Sequence, residues 1–315
     1  MATQTKLAHP VRTLHEQSKT LEKSLSACLT KASPESVHKL RTTIRRFEAQ
    51  FTLLAQSRKL PKSQHQPKKL LRHLRKLRRF AGEIRDIDVQ RDLISAHTTA
   101  ETAADAARLR RRLKERRDQQ AALLVDLAQR LNGKVSKELG QLLETLLQVE
   151  HLSMPSDQVT SFAQRLFSHR SSSYVTDDQL HAARKAAKVA RYICEMVPTS
   201  ATAVRMAKKF EDIQDKGGQW HDWLQIAKIA EDHLETHSPL TDLCNRERDL
   251  KLTSYRRKLM GRSAMRAAAN GSKALRGTRP RHRRVEMSPL SKLPSMPGSS
   301  RSVKTSAGSH PPSPM

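Results

Sequence analysis

Apolar side chains recur every three or four residues along most of the chain, a spacing that predicts amphipathic helices. The clearest case is the stretch 37–51, VHKLRTTIRRFEAQF, whose apolar residues form one stripe that faces a core. Comparable stripes predict helices at residues 11–29, 68–81, 105–131, 134–150, 159–169, 180–197 and 241–260. We predict that Gly82, Gly133 and the pair Gly217-Gly218 interrupt helices, because glycine lowers helix stability. The expected body is all-α, with no sheet in residues 5–262.

Basic side chains follow the edge of the core stripe. His38, Arg41 and Arg45 are spaced by three and four residues, one position after apolar residues. The second half repeats this arrangement with His181, Arg184, Lys188 and Arg191. Another face of the helix predicted from residue 68 carries Lys69, Arg72, Lys76 and Arg79. Cations beside a buried stripe can pack their aliphatic stems while their charged heads converge. The two histidine-led lines therefore favour a shared cationic site over two ordinary solvated faces.

A second correspondence supports a tandem repeat. The segment 81–88, AGEIRDID, aligns with the segment 217–224, GGQWHDWL, and Gly82 then pairs with Gly218. Trp220 and Trp223 take the places of two isoleucines in this alignment. We therefore predict that both tryptophans lie in the core and that neither is a platform for base stacking.

The charge balance points to a polyanionic partner. The chain has 59 Lys and Arg against 31 Asp and Glu, for a formal net charge of +28. Such an excess repels itself and attracts polyanions. Aromatic residues make up only 3 % of the chain, which disfavours single-stranded nucleic acid bound by base stacking. The three isolated cysteines, Cys28, Cys194 and Cys244, predict neither a disulfide framework nor a zinc site.

Composition also divides the chain. Residues 263–315 contain ten Lys or Arg, one acidic residue and many Ser and Pro, so we predict a disordered basic tail. The helical domain is expected at residues 5–262, with halves of about 5–153 and 154–262. No stretch is apolar enough for a signal peptide or a membrane span. We therefore expect a cytoplasmic protein that makes no membrane contact.

Taken together, four segments resemble the CHAD family, the conserved-histidine α-helical domains. They are VHKLRTTIRRF at 37–47, LRHLRKLRRFAGEIRDIDV at 71–89, LHAARKAAKVARY at 180–192 and FEDIQDKGGQWHDW at 210–223. The resemblance implies two four-helix bundles related by a pseudo-twofold axis, with a basic surface and a central pore that bind inorganic polyphosphate. The second repeat departs from the first at Val189, where the first has Arg46, so the two halves are expected to contribute unequally.

Carried over by position, the resemblance implies a set of site residues. They are His38, Arg41, Arg45, Arg46, Arg72, Arg79, His181, Arg184, Lys188 and Arg191. To these we add lysines on the same basic helices: Lys69, Lys76, Lys185, Lys208 and Lys209. A polyphosphate chain offers regularly spaced negative charge and no bases, so a groove of Arg and Lys is the receptor that suits it.

The predicted function is therefore non-catalytic binding of polyphosphate, with recruitment to polyphosphate granules. No Gly-rich phosphate loop or nucleophile elbow is present, and no cofactor or metal is expected. For Asp86 and Asp222 we favour helix capping or the orientation of an arginine over a role as general base or magnesium ligand. The alternative function is nonspecific nucleic-acid binding through the basic helices and the tail, where RPRHRR at 279–284 would suit phosphates. An enzyme on phosphorylated substrates is a third class, and oligomeric state is left open.

Overall fold

The structure, a computed structural model, describes residues 7–57, 67–170, 176–235 and 237–276. The described residues form helices almost throughout, which confirms the predicted all-α class. In chain order the helices are α1 (Pro10–Thr30), α2 (Pro34–Leu54), α3 (Lys68–Ala96), α4 (Ala103–Leu147), α5 (Ser156–Arg170), α6 (Asp177–Cys194), α7 (Ala201–His233) and α8 (Pro239–Arg276). Two short strands accompany them, β1 (Leu7–Ala8) and β2 (Met154–Pro155).

The strands are a departure from the prediction of helices only. β1 and β2 pair antiparallel, with Leu7 opposite Pro155 and Ala8 opposite Met154. The expectation of no sheet in residues 5–262 is wrong at this point. Strands of two residues are too short to show an alternating pattern of apolar and polar positions, so the sequence carries no signal for them.

The predicted glycine interruptions are also wrong. α3 runs through Gly82, α4 through Gly133, and α7 through Gly217 and Gly218. A glycine costs a helix only about 1 kcal/mol relative to alanine, which the burial of an amphipathic face outweighs. As a result α4 is a single helix of 45 residues, about 67 Å long at 1.5 Å per residue.

The site helices begin at defined caps. Ser33 accepts a hydrogen bond from the backbone N–H of Ser36 at the start of α2 (3.2 Å). Ser200 caps α7 in the same way. Thr176 caps α6 in a capping box, in which the side chain of Gln179 also accepts from the Thr176 backbone N–H. Caps of this kind stabilise a helix by about 1 kcal/mol each and fix where the helix starts.

The helices pack as two sets that meet at the centre. α1, α2 and α3 each pack against the following helix and α1 also packs against α4, while α5, α6 and α7 pack against one another. The sets meet where α2 packs against α6 and α3 packs against α7. Trp220 lies in the main core, and Trp223 lies in a second core cluster formed where the ends of α3 and α7 meet the starts of α4 and α8. The prediction for both tryptophans is confirmed. The pseudo-twofold relation between the halves stays a prediction.

The last helix is longer than predicted. α8 continues to Arg276, whereas the sequence pattern predicts an end near Met260. The added residues are rich in alanine, the strongest helix former, so local propensity extends the helix where no apolar stripe remains. The compact unit ends at Ala268. Residues 277–315, most of the predicted tail, lie outside the described residues.

Candidate polyanion-binding site

Four basic side chains meet where α2 packs against α6. Arg41 and Arg45 come from α2, and Arg184 and Lys188 come from α6. They are close enough to act on one another electrostatically: desolvation, together with the charges of Arg45, Arg184 and Arg41, lowers the pKa of Lys188 to about 6. We call these four residues the interior cluster. The offset basic lines seen in the sequence thus converge, as the pattern predicts.

Two carboxylates accompany the interior cluster. Asp86 of α3 forms an ion pair with Arg41, at 3.2 Å between Nη2 and Oδ1. Asp222 of α7 faces the same cations: burial raises its pKa to about 6, against the opposing effect of Arg184. Both aspartates lie inside helices, so the predicted capping role is wrong for both. The predicted orientation of an arginine is confirmed for Asp86.

The interior cluster keeps hydrogen-bonding capacity unused. The Nε–H groups of Arg41, Arg45 and Arg184 are buried, and none has an acceptor among the residues that the structure describes. A buried donor without an acceptor costs about 1–3 kcal/mol. Two carboxylates also cannot neutralise three arginines and a lysine once the lysine is charged. The cluster therefore suits an anion that brings both negative charge and acceptor oxygens.

A cleft leads from the interior cluster to the surface. It has a volume of about 420 Å³ and is lined by Arg45 and Lys188, which are half-buried, and by Arg75, Arg78 and Lys185. Arg78 is held by Glu48 of α2, with 2.9 Å between Nε and Oε2. Because Glu48 neutralises Arg78, the remaining cations of the cleft give it a net positive charge.

The cleft continues onto the outer face of α3. The predicted residues Lys69, Arg72, Lys76 and Arg79 line a second cleft of about 560 Å³ together with Lys68 and Arg75. Arg75 belongs to both clefts, so they adjoin. A third cleft of about 550 Å³ adds Lys134 and Lys137 of α4 beside Lys68 and Lys69. We call this continuous surface, from Lys188 through Arg75 to Lys137, the basic track.

The two histidines that lead the basic lines differ in their surroundings. His181 packs against Trp220, with 4.8 Å between ring centroids, and meets His221 edge-on at 4.7 Å. Burial lowers the pKa of His221 to about 3, and burial also lowers the pKa of His181. His38 is exposed on α2, and partial desolvation, followed by the charges of Arg85, Arg41 and Lys188, lowers its pKa. The lowered pKa values favour the neutral form of all three imidazoles at pH 7, which acts as a hydrogen-bond partner and not as a cation.

Three other predicted site residues form ion pairs with carboxylates. Arg46 and Arg191 both contact Glu195, at 3.4 and 2.7 Å. Arg191 also pairs with Glu211, which in turn pairs with Lys208. These three cations form a neutralised network beside α6 and α7. Lys209 is exposed on α7 and lines none of the three clefts described above. Spacings of three and four residues, as in Lys208 with Glu211, could have revealed part of this pairing from the sequence.

Other residues of the track escaped prediction. They are Lys68, Arg75, Arg78, Lys134 and Lys137. The first three lie on α3 among residues already assigned, and the helical spacing of Lys68, Arg75 and Arg79 was a usable signal. Lys134 and Lys137 join the track only because α3 and α4 pack antiparallel, a contact between distant segments that the sequence pattern does not contain.

The family model of the CHAD domain matches the sequence over residues 12–231, well over half of the chain. The chain belongs to the CHAD family. The crystal structure of the CHAD domain from the plant Ricinus communis is similar, with a TM-score of 0.58 and 16 % sequence identity, covering 87 % of this chain and 94 % of that chain. At this identity the likeness concerns the fold. The resemblance to CHAD domains in the sequence is thus confirmed, and no curated protein matches the chain.

Two further observations concern the described part of this CHAD chain. No helix in it combines the length and the apolar character needed to cross a bilayer. No group of three or more His, Cys, Asp or Glu side chains in it is arranged to hold a metal ion. Cys28, Cys194 and Cys244 are free and buried, and burial raises the pKa of both Cys194 and Cys244 to about 12.

Proposed function

We propose that this CHAD protein binds inorganic polyphosphate along the basic track, with the interior cluster as the deepest part of the site. The observation that carries the proposal is the buried, unpaired Nε–H donor of Arg45, which lines the cleft, with the unpaired donors of Arg41 and Arg184 near it in the interior cluster. A bare positive surface is common, but buried arginine donors without acceptors are not.

The chemistry of the track fits a phosphate chain. Arginine presents planar, forked donors that bind phosphate oxygens in pairs, and this geometry persists when water is excluded. The track also extends over α6, α3 and α4 instead of ending in a closed cavity, so it suits a long ligand with repeated charge. Few aromatic side chains are present for stacking bases. Each of these features favours polyphosphate over a nucleotide or single-stranded nucleic acid.

We infer a binding role without catalysis. The carboxylates of the interior cluster face arginines, and a carboxylate so held orients its partner and does not act as a free base. A binding protein of this kind would be recruited to polyphosphate granules. That association follows from affinity for the polymer and needs no separate signal.

The experiment compares two variants that lose the same charge. Arg72→Gln/Lys76→Gln/Arg79→Gln removes three exposed cations of the track, and Arg12→Gln/Lys19→Gln/Lys23→Gln removes three exposed cations of α1. Each contact to a single chain contributes about 0.7 to the slope of log affinity against log salt. The track variant should therefore have a slope shallower by about 2 for long-chain polyphosphate, and the α1 variant should behave as wild type. An equal change of slope in both variants would mean that net charge alone, and not the track, binds the polymer.

A further inference from the structure

A second cationic surface lies on α4, away from the basic track. Six side chains between residues 108 and 116 are exposed and basic: Arg108, Arg110, Arg111, Arg112, Lys114 and Arg116. None of them pairs with a carboxylate among the residues that the structure describes. The segment lies roughly 27 Å along the helix from Lys134, the nearest α4 residue of the track, at 1.5 Å per residue. It is therefore too far away to share one short stretch of ligand with the track.

The six side chains are arranged on two flanks of the helix. Successive residues are rotated by about 100°, so Arg108, Arg112 and Arg116 follow one flank. Arg110 and Lys114 follow the opposite flank, and Arg111 lies near the crest between them. The inner side of the same segment is buried through Ala106, Leu109 and Leu113. α4 thus presents a convex ridge with cations on both sides, whereas the basic track is a concave surface.

This convex shape selects the partner. A helix with its side chains is about 10–12 Å across, and the major groove of B-form DNA is about 12 Å wide with phosphates along both walls. A single polyphosphate chain could touch only one flank at a time. The major groove of A-form RNA is too narrow to admit a helix. The exposed face of residues 107–116 has no large apolar side chain, which an interfacial membrane helix requires.

We propose that residues 108–116 of α4 bind duplex DNA by lying in its major groove, with the two flanks contacting phosphates on opposite walls. Glu115, also exposed near the crest, would face the base edges and not the phosphates. Binding through phosphates carries no sequence information, so the interaction is nonspecific. It leaves the basic track available, and a protein bound to polyphosphate could contact DNA at the same time.

The test measures the affinity of the full chain for a duplex as a function of salt. Arg108→Gln/Arg112→Gln/Arg116→Gln removes one flank, and Arg12→Gln/Lys19→Gln/Lys23→Gln removes the same charge from α1. Each phosphate contact contributes about 0.9 to the salt slope for B-form DNA. The α4 variant should have a slope shallower by about 2.7, so that its loss of affinity between about 50 and 200 mM salt is roughly 40-fold smaller than that of the wild type. Its slope for polyphosphate should not change.

Each alternative outcome overturns the proposal. Equal slopes for the α4 and α1 variants would show that only net charge matters. If the α4 variant loses affinity for single-stranded DNA as much as for the duplex, binding in a groove is excluded. If it loses affinity for anionic phospholipid vesicles alone, the partner is a membrane surface. Arg110→Gln/Lys114→Gln tests the opposite flank, and a normal DNA slope in this variant would rule out contacts on both walls. All the substituted side chains are exposed, and circular dichroism of each variant checks that helicity is retained.

Discussion

Gly217 of α7 lies against the ring of Tyr255 on α8, and replacing it with alanine should destabilise the protein. A Cβ atom at Gly217 would lie 2.7 Å from Cζ, 2.9 Å from Cε2 and 3.0 Å from the hydroxyl of Tyr255. The Tyr255 ring cannot move aside easily, because it is fully buried and stacks on Trp220 at 5.8 Å between centroids. Its hydroxyl also donates a hydrogen bond to the backbone carbonyl of Leu180 on α6, at 3.0 Å.

The magnitude follows from three opposing effects. Forcing a methyl group into a packed site costs about 1–3 kcal/mol. Displacing the Tyr255 hydroxyl leaves a buried donor or acceptor unpaired, which costs about 1–3 kcal/mol more if no new partner is found. Alanine gains about 1 kcal/mol over glycine within a helix. The expected net effect of Gly217→Ala is a loss of about 2 kcal/mol in the free energy of unfolding, or roughly 4–8 °C in Tm for a domain of this size.

Gly218→Ala is a matched control in the same turn of α7. A Cβ atom at Gly218 would meet nothing within 4 Å, so only the gain in helix propensity remains, and Tm should rise by a few degrees, for about 0.5–1 kcal/mol. The assay is thermal and urea unfolding, followed by the far-ultraviolet circular dichroism of the helices. If Gly217→Ala unfolds at or above the temperature of Gly218→Ala, Tyr255 is not packed against α7 as described.

Three further predictions follow from buried or charged groups. The pKa values of Lys188 and Asp222 are both about 6 because of burial. As pH falls from about 8 towards 6, Lys188 gains charge and Asp222 loses it, so the affinity for polyphosphate should rise. Lys188→Met should reduce this pH dependence, and a wild-type affinity that does not change with pH would refute the prediction. Arg117 donates hydrogen bonds to Asp88 at 2.8 Å and to the carbonyl of Ala32. Arg117→Met should lower the free energy of unfolding in urea by about 3 kcal/mol, because it leaves Asp88 buried and unpaired. Asp88→Leu/Arg117→Met should recover much of this loss, and an Arg117→Met variant as stable as the wild type would contradict the prediction. Truncation after Arg276 removes the basic residues of 277–315. It should weaken the affinity for polyphosphate and the affinity for duplex DNA by similar factors, as measured in paired titrations. Loss of polyphosphate binding alone would place specificity in the removed segment.

The sequence predicted the features that depend on local spacing. The stripe through Leu40, Ile44 and Phe47 is fully buried, and the basic line one residue away reaches the interior, because a helix converts spacing directly into faces. The repeat of this pattern in α6 was sufficient to predict that two such lines meet. The resemblance to the CHAD family rested on the same segments.

The errors arose where contacts between distant segments decide the outcome. Gly82 and Gly217 were read as helix breaks, but each lies within a helix against a large side chain, Arg41 in one case and Tyr255 in the other. At Gly217 the glycine permits close packing against Tyr255, whereas a Cβ atom at Gly82 would lie at an ordinary contact distance of 3.7 Å from Arg41. The pattern along one helix cannot distinguish either case from an interruption. Arg46 stays a predicted site residue, but its ion pair with Glu195, 149 residues away, was not foreseen. Nothing in the local spacing reveals such a partner.

The most direct test of the central claim is a competition experiment on the full chain. Labelled long-chain polyphosphate is bound first and then challenged with unlabelled polyphosphate or duplex DNA of equal phosphate content, and the released label is measured. Binding along the basic track predicts that unlabelled polyphosphate displaces the label and that DNA at equal phosphate content does not. If DNA displaces polyphosphate equally well, the track does not distinguish the two polyanions, and polyphosphate is not the ligand for which the site is built.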